Sequence, residues 1–63
     1  MSQDYYIVDY GKDMVDLAQT MVNELREANH HVVVYLTDLD FYVSAIKVTE
    51  DEFLTHFNIT TGN

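Results

Sequence analysis

His31-Val32-Val33-Val34-Tyr35-Leu36-Thr37 and Phe41-Tyr42-Val43-Ser44-Ala45-Ile46-Lys47-Val48, separated by Asp38-Leu39-Asp40, form the stretch on which the fold turns. Both runs are dense in β-branched and aromatic residues, which suit a pleated, half-buried surface. Three intervening residues fit a tight antiparallel connection, although neither glycine nor asparagine marks the turn. Parallel pairing of the two runs would need a crossover of about a dozen residues. An antiparallel hairpin is therefore expected.

The hairpin is not cleanly two-sided. Side chains alternate across a strand, so Val32, Val34 and Leu36 share one face while Val33 and Tyr35 share the other. In the second run Phe41, Val43 and Ala45 alternate with Tyr42, Ser44, Ile46 and Val48. One helix can cover one such face. The other still presents valine, isoleucine and tyrosine, to be covered by the end of the chain, by a second copy or by a partner.

Moving towards the N-terminus, Met14, Leu17, Ala18, Met21, Val22, Leu25 and Ala28 recur at helical spacing. Asp13, Asp16, Thr20, Asn23, Glu24 and Glu27 occupy the opposite face. Asn29 and His30 suit the helix exit. Before the helix, Tyr5-Tyr6-Ile7-Val8 reads as a short first strand, ending near Asp9-Tyr10-Gly11. If this strand joins the hairpin in parallel, residues 10–30 are long enough for a crossover, and a right-handed one is expected.

Moving the other way, Thr49 and Glu52 fit a reciprocal capping box, with Val48 and Phe53 placed as a hydrophobic staple around it. Phe53, Leu54 and Phe57 form a short apolar stripe, and residues 59–63 read as a frayed tail. The expectation is a single α+β domain over residues 1–63 in the order β-α-β-β-α. A longer amphipathic helix packs on one sheet face and a short helix closes the chain.

The 63 residues carry 11 acidic and 3 basic side chains, for a formal charge of −8. Such a balance disfavours direct contact with nucleic acid or with an anionic membrane surface. It serves solubility, and it would also steer the chain onto a basic surface. Met1-Ser2-Gln3-Asp4 has no basic n-region and no apolar run reaches spanning length, so a cytoplasmic location is expected.

Catalytic chemistry finds little material. There is no cysteine, and His30, His31 and His56 have no spacing that joins them to Ser44 and an acid as a nucleophilic set. His30 and His31 sit where a protonated imidazole gains from the helix C-terminus, which is their ordinary explanation. Asp38-Leu39-Asp40 and Glu50-Asp51-Glu52 lack the glycine and ligand spacing of a calcium loop. With Gly11 and Gly62 the only glycines, a phosphate-cradling loop is absent. No enzymatic activity, cofactor or metal is expected.

What remains is recognition. Tyr35, Tyr42 and Ile46 are the candidate apolar contacts, because tyrosine offers a large contact area with a polar end. Asp13, Asp16, Glu24, Glu27, Asp38 and Asp40 are the candidate charged rim. The acids of the helix, from Asp13 to Glu27, would span about 21 Å at 1.5 Å per residue. Carboxylates so spaced can imitate nucleic acid phosphates. The reading is a small acidic protein-binding module, a stoichiometric inhibitor that engages a basic, nucleic-acid-binding protein and competes with its nucleic acid. Short acidic proteins of phage or mobile elements provide the class association. The alternative is a structural accessory domain that forms a homodimer through its second sheet face.

Overall fold

The computed structural model describes residues 3–60, and the side chains of residues 3–57. The order is β1 (Tyr5–Tyr10), a 3-10 turn (Lys12–Met14), α1 (Val15–Glu27), β2 (His31–Leu36), β3 (Val43–Val48) and α2 (Glu50–Thr60). It is the expected small α+β domain in β-α-β-β-α order, with the longer helix packed on the sheet and a short helix last. Of the expected frayed tail over residues 59–63, residues 61–63 lie outside the described residues, whereas residues 59 and 60 belong to α2, which extends to Thr60.

The pairing of the strands differs from the expected hairpin. The sheet order is β2-β1-β3, so β1 is central and β2 does not pair with β3. β1 runs parallel to β2, with Tyr5 opposite His31 and Tyr10 opposite Leu36. It runs antiparallel to β3, with Tyr5 opposite Val48 and Tyr10 opposite Val43. The physical reason lies in the burial demanded by each strand. Tyr5-Tyr6-Ile7-Val8 is apolar on both faces, the mark of a strand covered above and below. Placed at the centre, Ile7 is 4% exposed and Val8 is fully buried. A β2–β3 hairpin would have left this run on an edge.

Each face then receives one helix. Val8, Ala18 and Val22 form the core beneath α1, joined by Tyr10, Leu25, Val32, Val34 and Val43. Ile7, Val33 and Phe53 form the core beneath α2, joined by Tyr5, Tyr35 and Val48. The end of the chain thus covers the second apolar face, mainly over β1 and β2. Within α1 the buried line is Ala18 and Val22, whereas Leu17, expected on the apolar stripe, stays half exposed. Asp13 falls in the 3-10 turn rather than on the helix, so the acidic stripe of α1 begins at Asp16.

The exit of α1 and the start of α2 follow from the residues that form them. Asn29 takes a left-handed backbone conformation with φ 69°, which asparagine tolerates better than most residues. Its amide donates to the Arg26 carbonyl at 2.9 Å, and the His30 amide donates to Leu25 at 3.0 Å. Together these bonds make a Schellman exit. At the start of α2, the Thr49 amide donates to Glu52 Oε1 at 2.9 Å, and the Glu52 amide donates to Thr49 Oγ1 at 3.2 Å. This is the capping box read from the sequence, and Val48 packs against the core cluster that contains Phe53, as a staple requires.

Candidate protein-interaction surface

The strand order decides where exposed apolar residues collect. Because β2 and β3 flank β1, the connection between them must bridge two strand spacings, about 9.6 Å, over the end of β1. Residues 37–42 make that bridge. They replace the expected three-residue turn, and they remove Phe41 and Tyr42 from the third strand. The Thr37 amide donates to the Tyr10 carbonyl at 2.8 Å, and the Gly11 amide donates to Tyr42 at 2.7 Å. The Asp13 amide donates to Asp40 at 3.0 Å. The bridge therefore lies directly on the turn that leads into α1.

Gly11 permits this approach. A Cβ at that position would stand 1.9 Å from the Leu39 carbonyl oxygen and 2.4 Å from that of Asp40. Its φ of −93° is ordinary for any residue, so the requirement is space alone.

So anchored, the bridge holds large side chains in solvent. Phe41 is 80% exposed, Leu36 66% and Leu39 62%. Tyr42 is also exposed, and Val15 and Leu17 at the start of α1 are half exposed. Asp38 and Asp40 lie on the bridge, Asp13 in the 3-10 turn bonded to it, and Asp16 in the first turn of α1. Lys12 meets Asp40 at 3.8 Å in a solvent-exposed ion pair, a contact of small energetic weight. The structure brings together five of the sequence-read candidates here: Tyr42, Asp13, Asp16, Asp38 and Asp40.

The other four lie elsewhere. Glu24 and Glu27 are further along α1, about 12–16 Å from Asp16 at helical rise. Ile46 sits on the α2 side of β3, opposite Ile7, and is 50% exposed. Tyr35 is half buried beneath α2, where its hydroxyl donates to the His56 carbonyl at 2.9 Å and lies 2.6 Å from His56 Nδ1. It ties β2 to α2. Leu36, Leu39 and Phe41 were missed as surface candidates because their apolar character read as strand or turn filling. The only available signal was the absence of turn-forming residues between the two runs.

The histidines also have structural roles. His30 Nδ1 accepts the Asp4 amide at 3.2 Å, and His31 stacks on Tyr5 with ring centroids 4.9 Å apart. The titration shifts fall near α2. The Thr49 amide and hydroxyl, with a smaller contribution from His56, hold the Glu52 carboxyl below its ordinary value. Desolvation and the neighbouring Glu50 carboxylate raise the Tyr5 phenol. Among the described residues, no group of three or more His, Asp or Glu side chains is placed to hold a metal ion. No helix among them is long and apolar enough to cross a membrane. Comparison with protein-family models, curated proteins and solved structures finds no match.

Proposed function

We propose that this chain is a small acidic protein-binding module that acts by occupying a partner, and that the bridge over the end of β1 is its docking surface. The observation that carries the reading is Phe41, which a backbone-anchored loop holds 80% exposed between Leu39 and Tyr42. An aromatic presented from a fixed backbone loses little conformational freedom on binding, as interface anchors require. Asp38 and Asp40 on the same loop, with Asp13 bonded to it and Asp16 one turn further on, add negative charge to this end of the domain, so the complementary partner offers an apolar pocket with a basic rim. A basic rim of this kind also attracts nucleic acid phosphates. The module then acts as a stoichiometric inhibitor that displaces nucleic acid from a cytoplasmic partner.

The test is affinity capture from the native cell at low and moderate salt, with the wild-type chain beside Phe41→Ser and Asp38→Asn/Asp40→Asn. The expected result is a captured protein that Phe41→Ser loses, that the double variant holds more weakly, and that duplex nucleic acid releases. Capture indifferent to salt and to all these substitutions refutes the reading.

A further inference from the structure

We infer that the outer edge of β3, Val43–Val48, is a self-association site on which a second copy of the chain adds its own β3 in antiparallel register. This surface is distinct from the bridge, and its occupant follows from three observations.

The first is openness. Both β2 and β3 are edge strands, and an edge strand offers unpaired backbone groups to another strand. α2 lies over β1 and β2, so it shelters the β2 side of the sheet. On β3 the consecutive residues Ala45, Ile46 and Lys47 are all exposed. On the opposite face α1 packs across all three strands, and beside Ala45 it leaves a groove of about 290 Å³ lined by Met21, Glu24, Leu25, Ala28 and His30. Neither helix blocks a strand laid beside β3.

The second is charge. Two copies that each carry −8 repel one another wherever carboxylates face. β3 has none, and its single charge, Lys47, is turned back onto Asp4 of its own chain at 3.6 Å. β2 carries none either, so charge admits both edges, and the cover of α2 on the β2 side is what selects β3.

The third is self-complementarity. A two-fold interface pairs residue i with j and j with i. Centred on Ala45, the register sets Ala45 against Ala45, Ser44 against Ile46 and Val43 against Lys47. No like charges meet, and each exposed Ile46 gains cover from the other copy. The product is a continuous six-stranded sheet.

Sedimentation of the whole chain, from about 10 µM to about 1 mM, tests the inference at low and high salt. The expected result is a mass that rises with concentration towards twice the 7.3 kDa of the chain. Association should be stronger at high salt, where the repulsion is screened. This is opposite to the salt response of a basic partner on the bridge, so the two surfaces succeed or fail separately. Ala45 is exposed, so Ala45→Glu and Ala45→Lys should retain the wild-type circular dichroism. Each variant alone should associate at least tenfold more weakly, and mixing the two should restore association. A monomer under all conditions overturns the inference. So does an association that neither charge weakens, or that mixing fails to restore.

Discussion

Replacing Gly11 by alanine tests the contact on which the exposed bridge depends. The added Cβ would lie 1.9 Å from the Leu39 carbonyl oxygen, whereas ordinary contacts begin near 3.4 Å. The obstacle is backbone rather than the tip of a flexible side chain, so the bridge must retreat by about 1.5 Å, a distance that overpacked sites rarely absorb without cost. Such a shift lengthens the Gly11–Tyr42 and Asp13–Asp40 bonds, now 2.7 and 3.0 Å, beyond hydrogen-bonding range. Each is worth about 0.5–1.5 kcal/mol net. Alanine recovers about 0.4–1 kcal/mol by restricting the unfolded chain. The expected net loss is therefore about 1–2 kcal/mol, read as a lower urea midpoint with an unchanged slope. In thermal unfolding it corresponds to a fall of about 5–15 °C for a domain of this size. A Gly11→Ala protein as stable as wild type, or more stable, would refute the close approach and with it the anchoring of Phe41.

Three further outcomes follow from the packing. Val22→Ala, beneath α1, should cost about 2–3 kcal/mol through lost burial and a residual cavity, while half-exposed Leu17→Ala should cost less than about 1 kcal/mol; equal losses in urea unfolding would show that the buried line of α1 is misplaced. Tyr35→Phe should lower stability by about 0.5–1.5 kcal/mol and leave partner capture unchanged, and the reverse pattern would return Tyr35 to the interface. The lowered Glu52 carboxyl stabilises the fold above its ordinary value of 4.5, and that contribution is lost as pH falls through the lower folded value. Chemical unfolding across that acid range should therefore show the stability difference between wild type and Glu52→Gln shrinking as pH falls, and a constant difference would contradict the capping geometry.

Local signals in this chain read well because they depend on neighbours in sequence. The capping box at Thr49 and Glu52, the helix exit at Asn29 and the element order all follow from side chains within a few residues of one another. Part of the candidate interaction surface was legible in the same way. Asp38, Asp40 and Tyr42 stood out by charge and ring, whereas Leu39 and Phe41 became surface residues only through the path of the loop.

By itself the sequence determined an acidic α+β domain whose sheet has two apolar faces, since alternation along each strand settles which residues lie together. The tertiary structure alone decided which strand occupies the centre. Adjacency along the chain favoured pairing β2 with β3, but only the central position buries both faces of Ile7 and Val8. That exchange moved β3 to an open edge, sent residues 37–42 over the end of β1 and left Phe41 in solvent. The same exchange drew Tyr35 under α2. The candidate surfaces thus follow from competition among all three strands for burial, which no single stretch of the sequence records.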